Sequence, residues 1–214
     1  MKLLPTLCLL PLGLLFGCAK PADPVSSPSL PALPPEIQQV VVQRGKAIAS
    51  ETFGLLSTNL QTAIQSGGVS NALPFCSLAA SPLTASMAEK HGVTLKRVTH
   101  KARNPAAKAN DTELAVLQSF ASALAASTNS PPPFATNLIA GQATFFAPIV
   151  LNNELCLKCH GAPGQDISAE NLAIIRQHYP QDEATGFQLG QLRGAWRIDF
   201  PIIALSTTPT AAIK

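Results

Sequence analysis

The sequence predicts an α+β domain, on three observations. Apolar residues recur at helical spacing through residues 36–66, where Ile37, Val41, Ile48 and Leu55 stand four and seven apart. Near the C-terminal end Trp196, Ile198 and Phe200 alternate with Arg197 and Asp199, the period of a strand with one buried face. Between these stretches helical and β-type runs alternate without an internal repeat, which suits helices laid on one side of a small antiparallel sheet.

Residues 1–17 read as a signal peptide. Met1 and Lys2 give a short basic start, and the apolar run at 3–16 is interrupted by Pro5, Pro11 and Gly13. It is shorter than the roughly 20 residues that a membrane-spanning helix needs. Leu15, Phe16, Gly17 and Cys18 resemble a bacterial lipobox, so cleavage before Cys18 and lipidation of its sulfur are expected, anchoring the mature chain to a membrane. An ordinary secretory signal is the plainer alternative. Residues 18–35 form a Pro-rich tether: six of the seventeen residues after Cys18 are proline, and an extended polyproline path would reach about 50 Å. One domain at 36–205 and a tail at 206–214 follow.

Within the domain, the first helix should stop at Gly67 and Gly68. A shorter helical stretch at 69–91, interrupted by Pro74 and Pro82, leads through Gly92 to a strand at 93–99. Asp111 is expected to cap a helix running to Ala126, and the triple proline at 131–133 to end regular structure. The β-type run at 143–151 contains Pro148, which implies an edge or a bulge. Charge excludes one class of partner. The 214 residues carry a net charge of +3 and only 13% charged residues, and the densest basic group, Lys96, Arg97, Lys101 and Arg103, is no phosphate-binding stripe, so nucleic acid is not expected.

The chemistry is concentrated at Cys156, Leu157, Lys158, Cys159 and His160. Two cysteines three apart share one face of a helical turn, where their sulfurs can form thioethers with the two vinyl groups of a haem while His160 ligates the iron. Zinc would want a second ligand pair, and none of suitable spacing exists elsewhere. A thioredoxin-like redox pair would want a hydrophobic strand leading in across a short turn, whereas Asn152, Asn153 and Glu154 intervene. A plain disulfide is the remaining alternative. Gly161 and Gly164 suit close approach to a porphyrin edge or ordinary turns.

Export and haem attachment support each other, because c-type haem is attached outside the bacterial cytoplasmic membrane. With Cys8 removed, Cys18 lipidated and Cys156 and Cys159 in thioethers, Cys76 is the one thiol left in an oxidising compartment. It is either a small buried hydrophobe or the second iron ligand. Met87, His91, His100 and His178 compete for that role, and none starts ahead of it.

The stretch from Leu95, Lys96, Arg97, Val98 and Thr99 into Arg103, Asn104 and Pro105, the run from Cys156 to Gly161, and Arg193, Gly194, Ala195 and Trp196 resemble the PAS-like, single-haem c-type domain family. Its members occur alone and as periplasmic input domains of sensor kinases. The resemblance covers about 36–201 and departs after Pro105, where Ala107 and Ala109 stand in place of an asparagine and a proline. It implies a PAS-like fold, one covalent haem c, and iron held by His160 and Cys76. It also implies redox or gas sensing in the periplasm. A thiolate ligand favours ferric iron and a low potential, and reduction would weaken that bond and open a position for a small gas. Electron transfer by a low-potential carrier is the alternative. Enzymatic use is not expected, since no distal acid and base are identifiable. Arg103 and Arg193 are candidates for the haem propionates and Trp196 for packing on the macrocycle, against surface ion pairing and ordinary core packing respectively.

Overall fold

The structure is a computed structural model that describes residues 33–126, the backbone of 135–139, and 142–201. The signal peptide, Cys18, most of the tether, the triple proline and the tail lie outside the described residues.

Helix α1 (Pro35–His91) contains the expected glycine break: Gly67 leaves helical geometry, and Gly68 takes φ 74°, ψ −173°. A straight helix of this length would span about 85 Å at 1.5 Å per residue. Instead the chain folds back, so that Glu51 on the first arm meets both Lys90 and, at 2.8 Å, His91 at the end of the second. Asn71 Nδ2 donates to the Ala63 carbonyl across the break at 2.9 Å. The α1 element is therefore a helical hairpin, and Pro74 and Pro82 sit within its second arm without ending it.

Four antiparallel strands, β1 (Thr94–Val98), β2 (Ala135–Ile139), β3 (Gln142–Val150) and β4 (Leu192–Phe200), are ordered β1-β4-β3-β2. This is the α+β, PAS-like arrangement expected. One sheet face, with Phe145, Ala147, Trp196, Ile198 and Phe200, packs on Val41, Ile48 and Met87 of α1. The approach is close. A Cβ at Gly45 would stand 2.3 Å from the Phe145 ring. The other face, with Val98, Phe146 and Ala195, packs on Leu117 and Phe120 of α2 (Asp111–Ala126).

Three local expectations are corrected and a fourth holds. β4 is central and covered on both faces, so Arg197 and Asp199 do not face water. Arg197 donates to Glu113 Oε1 at 2.7 Å and to Asp199 Oδ1 at 3.0 Å, and Thr144 Oγ1 donates to Asp199 at 2.6 Å. The cap of α2 is Asn110 and not Asp111: its Oδ1 accepts the Glu113 N–H at 2.9 Å, and Glu113 Oε2 accepts the Asn110 N–H at 3.0 Å, a capping box. Regular structure resumes at β2, two residues after the triple proline. The edge or bulge expected at Pro148 is present, although β3 itself is an interior strand. That proline lies past the last β2 partner, the Ala135–Phe146 pair, and beside the register shift at Ile149 and Val150.

Candidate haem-attachment site

β3 delivers the motif. Three residues after Val150, helix α3 (Glu154–His160) begins, with Asn153 as its cap, its Oδ1 accepting the Leu155 N–H at 2.8 Å. A hydrophobic strand thus does lead in across a short turn, because Asn153 belongs to the helix start and is no spacer. Burial, opposed by Arg103 and reinforced by Cys76 and Cys156, pushes the Cys159 thiol up to about 11. A reactive dithiol needs the opposite shift. Cys156 and Cys159 are both free and partly buried.

His160 ends α3 with its ring fixed. Nδ1 lies 2.8 Å from the Ala184 carbonyl oxygen, which can only accept, so this nitrogen carries the proton. The Arg193 Nε at 3.4 Å from the same nitrogen is also a donor and makes no bond to that tautomer. The lone pair is then on Nε2, the state a metal ligand requires. Burial first, then Arg193 and Arg103, hold the His160 pKa well below its ordinary value, keeping the ring neutral. The Phe187 ring stands edge-on to it, centroids 6.3 Å apart.

Arg103 clamps the motif. Its Nε and Nη2 donate to the two Asp182 carboxylate oxygens at 3.0 and 3.2 Å, and Nη2 donates to the Cys159 carbonyl at 2.6 Å. Arg193 donates to Thr99 Oγ1 at 2.9 Å and to the Lys101 carbonyl at 3.0 Å, and its charge centre lies 5.5 Å from the Phe187 ring. Burial, then Arg103 and Arg97, lower its pKa to about 10, with Asp182 opposing. Trp196 is buried in the α1-facing core, with the Arg97 guanidinium 5.8 Å from its ring centroid.

Cys76, in the second arm of α1, is brought near the motif. Burial raises its pKa, Arg97 and Arg103 lower it, and it acts in turn on Cys159. A cleft of about 500 Å³, lined by Ser77, Arg103 and Tyr179 among others, opens beside it. The competitors lie elsewhere: Met87 in the main core, and His91 against Glu51. His100 is exposed, its ring 5.9 Å from that of Phe187, and His178 ends α4 (Ala169–His178). No group of three or more His, Cys, Asp or Glu that could hold a metal occurs among the described residues.

The two glycines after the motif have local causes. A Cβ at Gly161 would stand 2.4 Å from that of Asp166, whose carboxylate accepts the Ala162 N–H at 2.8 Å, and Gly164 takes φ +80° in the same turn. Sequence reading missed Asp182, Ala184 and Phe187, which lie in an irregular segment without periodic signal. It also missed Arg97, although alternation along β1 puts it on the same sheet face as its partner Trp196.

No curated protein matches this chain. Among solved structures, the crystal structure of the cyanobacterial heme-protein Tll0287 matches with a TM-score of 0.53 and 23% identity, covering 79% of this chain and 97% of that one. The Tll0287-like family matches residues 35–201. Spanning the helical hairpin, the sheet and the cysteine-rich turn alike, that match establishes that the chain belongs to the Tll0287-like family.

Proposed function

We propose that this chain binds one haem c covalently and works as a redox- or gas-responsive module, with no catalytic role of its own. The observation that carries the reading is His160: neutral, with Nδ1 committed to the Ala184 carbonyl and Nε2 left to a metal, on the same short helix as Cys156 and Cys159. The family relative described as a heme-protein supports it. Cys156 and Cys159 would carry the thioethers, His160 one axial position, and Cys76 the other. When bound, the haem supplies one-electron redox chemistry and an iron position that a small gas can take. Around it, Ala184 fixes the imidazole, Arg103 holds the end of α3, and Phe187 covers the His160 ring.

The same reading includes export to the periplasm and attachment to a membrane through lipidated Cys18, with a separate protein receiving the signal or the electron. Mass spectrometry of chain made with a working haem-attachment system tests the first part: one haem adduct is expected, and its absence ends the reading. Absorption spectra in both oxidation states, with and without carbon monoxide, test the second. Ligand uptake after reduction is expected, whereas a permanently six-coordinate haem would identify a low-potential electron carrier.

A further inference from the structure

Three guanidinium groups converge on the motif. Arg103 reaches the Cys159 carbonyl, half-buried Arg193 stands 3.4 Å from His160 Nδ1 and donates to Thr99 two residues beyond Arg97, and Arg97 and Arg103 both act on Arg193 and on Cys76. Against these three positive charges the structure sets one carboxylate, Asp182, and both its oxygens are taken by Arg103. Lys101, whose Nζ stands 4.7 Å from the Phe187 ring that Arg193 also faces, adds a further cation, so positive charge is in excess here among the described residues. Like charges held together at the edge of a low-dielectric site are costly unless an anion joins them.

Arg97 is the group with least to do. It makes no salt bridge and no hydrogen bond among the described residues, only the stacking approach to Trp196 at 5.8 Å. Its register partner is Trp196, so it lies on that residue's sheet face, and Tyr179 and Cys76 are the groups whose charge acts on it. The residue is exposed, so its N–H groups are open to a ligand from outside. Arg193, by contrast, is tied to Thr99 and the Lys101 carbonyl, and Arg103 to Asp182.

We infer that Arg97 is the anchor for a carboxylate of the bound porphyrin, and that Arg103 is a positioning residue for α3 and not a propionate partner. This rests on the haem reading above. A carboxylate on the porphyrin edge would supply an anion to this excess of positive charge, and Arg97 offers an unused fork for a bidentate bond. The approach to the Trp196 ring at 5.8 Å consumes none of its N–H donors.

The test separates the carboxylate contact from haem attachment. In the full chain carrying Cys156→Ala and Cys159→Ala, binding of haem and of its dimethyl ester is titrated with Arg97 intact, with Arg97→Gln and with Arg97→Lys. Haem should bind more tightly than the ester, and Arg97→Gln should reduce that preference by about tenfold or more, the weight of a charge-assisted bond. Arg97→Lys should restore part of it, and thermal unfolding should be the same in all three, since Arg97 holds no other element in place. An unchanged preference in Arg97→Gln overturns the inference while leaving the haem reading intact. A wild-type chain without a haem adduct overturns both.

Discussion

Replacing Arg103 by methionine should destabilise the fold and loosen the motif together. The Arg103 and Asp182 side chains are 12% and 6% exposed, and the pair is bidentate at 3.0 and 3.2 Å. Arg103→Met keeps the length and apolar stem of the side chain but strands the Asp182 charge and leaves the Cys159 carbonyl without that donor. Breaking such a buried pair from one side costs about 3–5 kcal/mol. For a domain of this size, that lowers Tm by roughly 6–20 °C, at about 2–4 °C per kcal/mol. The assay is thermal unfolding of the haem-free full chain by far-ultraviolet circular dichroism. Arg103→Met with Asp182→Leu should recover most of the loss, because no unpaired charge remains buried. A single variant within about 3 °C of the wild type, or a double variant worse than the single, would refute the clamp.

Cys76→Ser should keep the haem adduct while the ferric spectrum loses thiolate character and the reduction potential rises, whereas Met87→Leu should change neither; an unchanged spectrum in Cys76→Ser makes that residue core packing. Gly45→Ala should destabilise despite its better helix propensity, by about 1–3 kcal/mol, since its Cβ would meet the Phe145 ring at 2.3 Å; denaturant melts showing a gain would place α1 further from the sheet. Glu113 should give the fold an acid limit. Burial alone would raise its pKa, but Lys96, the Asn110 N–H and Arg197 more than offset this and lower it. A lowered folded-state pKa means its stabilisation is present above the unfolded value near 4.5 and is lost as pH falls through the folded one. Glu113→Gln should therefore flatten the stability profile below about pH 4.5 while costing stability at neutral pH, read from melts across that range. Asn110→Ala should cost about 1 kcal/mol through the lost cap, also visible in denaturant melts.

Much of this was legible in the sequence because the signals were local. Gly67 and Gly68 marked the hairpin break since only glycine takes the backbone that Gly68 adopts. Cys156, Cys159 and His160 were legible as one candidate cluster because five consecutive residues hold them on the short helix α3. What stayed hidden depends on partners distant in the chain. The alternation of Arg197 and Asp199 with apolar residues reads as a wet face until Glu113, 84 residues away, is known to cover it. Arg103 reads as an exposed cation until Asp182 and the Cys159 carbonyl, 79 and 56 residues on, close around it. Asn153 is a loop residue by composition and a helix cap by position.

The strand order has a kinetic consequence. β4, the last described strand in the chain, is inserted between β1 and β3 and pairs with both, Thr94 meeting Asp199 across 105 residues. The α1 hairpin can form early from nearby contacts, but β1 has no sheet neighbour until β4 emerges. Closing a connection of that length is slow compared with helix formation. A chain moving N-terminus first would therefore present Cys156, Cys159 and His160 before β4 can complete the sheet. On the haem reading proposed above, the interval between their appearance and the arrival of β4 would leave both sulfurs open to an attachment machinery.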